Sequence, residues 1–170
     1  MKQQFKHQIV DLLDSHRIMT IATNRPDGWP QATVVGYAND GLIIYCFIAH
    51  DGQKYANIAR DPRISIAIAN DYPQPLMIKG LSMAARAVEV QDQGEIDHAT
   101  AILLQRYPEY KVMPRPNPEA VPMLRITPEI VSILDYSKGF GHADLVRVTD
   151  SDLAEYIESR RHHWAGHRAA

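Results

Sequence analysis

The sequence predicts a mainly β protein: an antiparallel sheet closed into a barrel, with helices only at its periphery. Three observations carry that reading. Six or seven apolar, branch-rich runs are joined mostly by tight turns, which suit antiparallel neighbours. Strands and helices do not alternate, and no Gly-x-Gly-x-x-Gly follows a strand, which argues against a doubly wound dinucleotide fold. A sheet of this size also hides its edges best by closing on itself.

Phe5, Ile9, Leu12 and Leu13 share one helical face, so residues 2–16 form an amphipathic helix. Residues 18–23 switch to strand patterning. Pro26-Asp27-Gly28 makes a turn, because Pro presets φ and Gly eases the exit. Residues 31–38 alternate as a second strand. Asn39-Asp40-Gly41 is a hairpin signal, and residues 42–48 are apolar throughout, as a strand buried on both faces would be. Residues 53–60 form a short helix stopped at Asp61-Pro62, where the residue before proline disfavours helical ψ.

Ile64, Ile66 and Ile68 alternate along a strand over 63–69. Residues 76–90 supply strand material interrupted near Gly80, and 95–107 form a helix. Pro114, Pro116, Pro118 and Pro122 make residues 112–122 an irregular connection. Two strands follow, 123–126 and 130–136, then a last strand over 143–148. Asp150 or Ser151 caps a helix running to about Trp164.

The chain has 170 residues, enough for one domain over 1–170 with a real core, flanked by an N-terminal helix in 1–17 and a C-terminal helix and tail in 150–170. A net charge of −2 gives no drive toward nucleic acid or anionic membrane. The single Cys46 fits a reducing compartment, and no apolar run reaches the ~20 residues of a membrane helix. A cytoplasmic protein is expected.

The chemistry centres on His50-Asp51-Gly52-Gln53-Lys54, where an apolar strand breaks into a helix. The opening amides of a helix lack partners, and Lys54 adds a full charge with Gln53 as a neutral donor, so the turn can seat a phosphate. Asn57, one turn on, can tie the helix back to a strand. An ordinary solvated lysine is the plainer alternative, and Asp51 opposes an anion unless it points outward.

The order of these segments resembles the pyridoxamine 5′-phosphate oxidase-like, FMN-binding split-barrel superfamily. The residues that carry the resemblance are Thr23, Asp27-Gly28-Trp29-Pro30, the strand over 31–37, Lys54 with Asn57, and Asp61-Pro62-Arg63-Ile64. The resemblance implies an antiparallel split β-barrel, a homodimer with FMN at the subunit interface, and a flavin-dependent oxidoreductase acting on a small molecule. It would place Thr33, Val34, Val35 and Tyr37 along the isoalloxazine ring, with Phe47 and Ile48 on the ring or ribityl chain. Gln53 and Lys54 would hold the phosphate, with Asn57 behind them, and Lys79 and Gly80 would approach from the strand after the proline loop. Tyr37 is the side chain best suited to touch substrate. The chain departs from the family in having no basic residue over 31–37. Its Arg160-Arg161-His162-His163-Trp164 also lacks the spacing with which true pyridoxamine phosphate oxidases read substrate, so vitamin B6 oxidation is not expected.

Gly139-Phe140-Gly141-His142-Ala143 is similar to a stretch in the haem-utilisation branch, which makes a haem-binding protein the main alternative; a flavin carrier without catalysis is another. His142, His162, His163 and His167 are then axial candidates. No Cys or carboxylate set completes a zinc site around His163 and His167. Deazaflavins serve other superfamily members. Phe140, between two glycines, can cover a flavin ring or pack into the dimer seam, and Cys46 reads as an inert core residue.

Overall fold

The computed structural model describes residues 1–112, 117 and 120–154. Helix α1 (Gln3–Ser15) sets Ile9, Val10 and Leu13 into the core along its apolar stripe. Strands β1 (Ile18–Asn24) and β2 (Pro30–Gly36) form a hairpin whose turn needs the positive φ of Gly28, at 85°. After Tyr37, β3 (Ala38–Asp40) turns through Gly41, at φ 57°, into β4 (Ile43–Phe47). The run predicted over 31–38 is thus two strands: the Tyr37 amide still reaches the Arg17 carbonyl at 3.2 Å but shares its hydrogen with the Tyr107 hydroxyl, and from Ala38 the chain pairs with β4 instead. Helix α2 (Gln53–Arg60) ends at Asp61, whose extended backbone is what the following Pro62 demands.

Strands β5 (Arg63–Ala69) and β6 (Lys79–Glu89) pair without a break. The expected interruption at Gly80 is absent. A Cβ there would lie 2.4 Å from the Ile68 carbonyl oxygen, so glycine permits the close approach instead of breaking the strand. Helix α3 (Gln93–Arg106) begins two residues before the predicted start, capped by Asp92, which accepts from the Glu95 amide at 2.8 Å.

The two strands expected after the proline-rich segment are one, β7 (Met123–Asp135). One edge of β7 follows β6 throughout; the other serves β4 through Ile126 and then β8 (Ala143–Arg147) from Ile130. Pro128 falls between those two partners, where its missing N–H costs no ladder bond. Glu129 is the extra residue of a bulge, since Ala84 pairs with Ile130 and Ala85 with Pro128. Helix α4 (Asp150–Ala154) is capped by neither Asp150 nor Ser151. Instead the Thr149 amide and hydroxyl both donate to the Asp152 carboxylate, at 2.8 and 2.7 Å. The predicted extension to Trp164, and His162, His163 and His167 with it, lie outside the described residues.

All eight strands among the described residues belong to one sheet, ordered β2-β1-β5-β6-β7-β4-β3 with β8 beside β7. The sheet curls into a half-barrel with peripheral helices. Its inner face holds Ile21, Ile44, Ile66, Met83, Ile126 and Val131. Strands β2 and β4 come together without pairing, and that gap is the split. A second cluster, Tyr45, Val90, Leu103, Tyr107 and Met123, lies under α3, so β4 is buried on both faces as its composition predicts. Among the described residues, no helix is long and apolar enough to cross a membrane.

Candidate functional site

Helix α2 is fastened across the end of the barrel by Asn57. The side chain is fully buried, and its amide donates to Thr23 Oγ1 at 2.9 Å and to Gln31 Oε1 at 3.1 Å. Its oxygen accepts from Gln53 Nε2 at 2.8 Å. Both Asn57 N–H groups and its oxygen are therefore engaged, and the helix start is held in register with β1 and β2. Asn57 ties the helix to strands as its spacing suggests. Thr23 and Gln31 complete the network, and in the sequence only their inward parity on adjacent strands hints at the role.

At the opening of α2, the Tyr55 and Ala56 amides bond the Gly52 carbonyl at 3.0 and 3.3 Å, so the Gln53 and Lys54 amides before them face out of the helix end. No side chain caps this end, and Asp51 is exposed. Lys54 lies one turn ahead of the buried Ile58, so its stem runs along the barrel end. Among the described residues its ammonium has no hydrogen-bond or ion-pair partner. Burial lowers its pKa from the ordinary lysine value, opposed by the nearby Cys46 thiol. That thiol is itself pushed up to about 12 by burial and is inert at neutral pH. Thr33, two residues beyond Gln31 on the same inward face of β2, has a buried hydroxyl with no partner. This end of the barrel thus offers a cation unpaired among the described residues and two outward amides on α2, and β2 carries a buried, unpaired Thr33 hydroxyl.

The remaining predicted residues divide among several places. The pleat of β2 turns Thr33 and Val35 inward and Val34 outward, where it is 64% exposed. Tyr37 offers no surface to a ligand in this chain: its hydroxyl donates to the Leu13 carbonyl at 2.8 Å, and the Arg106 guanidinium lies 4.9 Å above its ring. It is a fastener between β3, α1 and α3. Ile48 is buried in the barrel core beside α2, and Phe47 packs on the α3 side. Lys79 stands opposite Asp135, and Gly80 is closed against β5. Both sit at the Ala69 end of β5, about 20 Å from the Arg63 end next to α2 at ~3.3 Å per residue. One copy of the chain therefore does not bring Lys79 to Lys54. Phe140 is 82% exposed at that same far end, held out by Gly139 and Gly141 and tilted against Tyr136 at 5.6 Å. The ring of His142 meets Asp144 at 3.4 Å. Among the described residues, no three His, Cys, Asp or Glu side chains gather to hold a metal.

On the outer face, Val34, Thr20, Ala67, Ser82, Ser132 and Leu145 form one uncharged row across six strands. Beside it an open groove of about 350 Å³ is floored by Ala22, Ser65 and Ala84 and walled by Asn24, Pro30 and Arg63.

A curled antiparallel half-barrel with a lysine-bearing helix across its mouth defines a split-barrel protein. The chain matches the pyridoxamine 5′-phosphate oxidase family over residues 5–135 and belongs to it. General stress protein 26 of Bacillus subtilis is 29% identical over 70 residues, 41% of this chain and 49% of that protein, so the chain aligns with about half of that relative. The haem-binding protein of Mycobacterium smegmatis superposes with a TM-score of 0.69 at 21% identity, covering 86% of this chain and 58% of that one. An FAD-binding protein of Mesorhizobium loti superposes at 0.59 and 22% identity, covering 74% and 90%. These similar structures share the fold.

Proposed function

We propose that the chain binds a flavin with its phosphate at the mouth of the split barrel, and serves as a flavin-dependent oxidoreductase for a small molecule. The observation that carries this reading is Lys54. A half-buried ammonium with no partner among the described residues is costly, and an anion lying against it and the outward amides of α2 relieves that cost. Thr33 adds a hydroxyl to the same mouth, and Gln53 a neutral donor. When bound, a flavin supplies the electron chemistry; the chain's part is to hold it, orient it and exclude water.

The uncharged outer row supports a homodimer built on that face, since a second copy would cover Val34 and Leu145 without burying charge. Such a copy would offer Lys79, Gly80 or Phe140 a route to a ligand held at Lys54. A second reading, haem binding, rests on His142 beside the exposed Phe140. An FMN phosphate would use Lys54 and the outward amides of α2, and a deazaflavin would use the same phosphate donors.

The visible spectrum of the purified chain tests the choice. A two-band flavin envelope is expected, with Lys54→Ala weakening FMN far more than riboflavin. Failure to take up added FMN overturns the flavin reading, and a Soret band that disappears in His142→Ala supports haem instead.

A further inference from the structure

Phe140 is presented by a loop that fastens to itself. The turn over Tyr136–Lys138 and the positive φ of Gly139 and Gly141 set its direction. The Gly139 amide donates to the Tyr136 carbonyl at 3.1 Å, the His142 amide to the Gly139 carbonyl at 3.0 Å, and the Asp135 amide to the His142 carbonyl at 3.1 Å. Lys138 and His142 both reach Asp144, at 3.2 and 3.4 Å. A ring held out this way loses little further freedom when a surface covers it.

The groove over Ala22, Ser65 and Ala84 lies at the opposite corner of the same outer face, on β1, β5 and β6 toward α2. Phe140 follows β7 beyond Leu134. Leu134 pairs with Gly80, which stands four residues, or about 13 Å, from Ala84 along β6, so the ring does not reach the groove of its own chain. The groove has room for a phenyl ring, since benzene occupies a cavity of about 150 Å³. Its Arg63 wall is pinned edge-on by Asp61 at 2.9 and 2.8 Å, which leaves the guanidinium plane to lie against an aromatic face.

We propose that two copies pair through this face about a two-fold axis running obliquely across it near Ser82, so that the Phe140 of each copy seats in the groove of the other. The inference rests on the second-copy reading given above and adds its geometry. A two-fold lying in the interface exchanges diagonal corners, and so makes the contact twice. Thr20, Ala67 and Ser82 keep the middle of the face small, and two outward-curving sheets that touch there part toward their corners. The uncharged rows through Gly80, Ser82 and Ala84, six strands wide, span roughly 600 Å² at ~4.8 Å per strand and ~3.3 Å per residue. A stable interface needs about 800 Å² per partner, so the corners have to contribute. Their charges suit each other. The segment from Asp135 to Asp144 has two carboxylates and one lysine, whereas the groove rim of Arg60, Asp61 and Arg63 has two arginines and one carboxylate.

Sedimentation of the full chain, and oxidation of a mixture of Phe140→Cys and Ser65→Cys chains, test the seating. Cys46 is buried and takes no part. The mixture should yield a disulfide-linked pair that neither variant forms alone. A disulfide needs Cα atoms within ~7 Å, so a bridge between these positions joins two copies and cannot form within one. Phe140→Ser should raise the dimer dissociation constant at least about tenfold. A dimer that gives no mixed bridge, that links Phe140→Cys to itself, or that is unmoved by Phe140→Ser overturns the seating and leaves the second-copy reading standing. A stable monomer at micromolar concentration overturns both.

Discussion

The hydroxyl of Tyr107 occupies the place that a side chain on Gly36 would need: a Cβ there would sit 3.0 Å from it. That hydroxyl accepts from the Tyr37 amide at 3.0 Å and donates to the Arg17 carbonyl, while Arg17 lies over the Tyr107 ring and Tyr110 stacks beneath. One phenol thus joins the end of α3 to the start of β1 and the end of β2. Tyr107→Phe should destabilise by about 1 kcal/mol, because the Tyr37 amide keeps the Arg17 carbonyl as a second acceptor. Gly36→Ala should cost about 1–3 kcal/mol by displacing the ring. Urea unfolding of both variants, and of the double variant, checks this; the alanine penalty should shrink once the hydroxyl is gone.

Lys54 should trade stability for binding. Burial lowers its pKa from 10.5, so the unfolded chain holds that proton more tightly than the folded one. The sign follows directly: the penalty is present while both states are protonated, and stability rises with pH between the folded pKa and 10.5. Lys54→Met should therefore raise the thermal midpoint of the ligand-free protein at neutral pH, with the gap to wild type closing as pH approaches 10.5. A lower midpoint for Lys54→Met would show that the amine is already satisfied.

Asn57 is the bond on which the mouth's geometry depends. Asn57→Ala leaves Thr23, Gln31 and Gln53 without their shared partner and opens a hole beneath α2, for an expected loss of about 2–4 kcal/mol. Asn57→Asp should be no better, since a carboxylate cannot donate to Thr23 and Gln31. Chemical denaturation of the two variants gives the comparison.

Gly80 and Phe140 separate packing from ligand contact. Gly80→Ala meets a backbone oxygen rather than a yielding side chain, and should cost upward of ~3 kcal/mol or abolish folding. Phe140→Ser should leave the unfolding midpoint within about 0.5 kcal/mol of wild type. If a second copy brings Phe140 to the site, the same variant should still weaken dimer or flavin retention, which sedimentation and flavin release would register.

What could be read from the residues was mostly local. The turns at Gly28 and Gly41, the helix stop at Asp61-Pro62 and the burial of β4 each follow from chemistry within a few positions. Lys54 and Asn57 were legible because helical spacing fixes their relation to Ile58. The continuity of β7 was not, because Pro128 reads as a break until its two edge partners are known. Tyr37 looked like a substrate contact because nothing near it in sequence announces Leu13 or Arg106. Gln31 became visible only once α2 was laid over it.

The divided edge of β7 has a consequence for how the chain tolerates damage. If β8 detached, residues Ile130–Leu134 would be left as a bare, apolar β template while β4 still guarded the other half. β8, the final strand among the described residues, is thus the cover over that part of β7. A truncation ending at Asp135 exposes that template and also strips Asp152 from the Met1 ammonium, so it should lower stability and assemble into aggregates, and a Lys introduced at Ser132 should suppress that assembly.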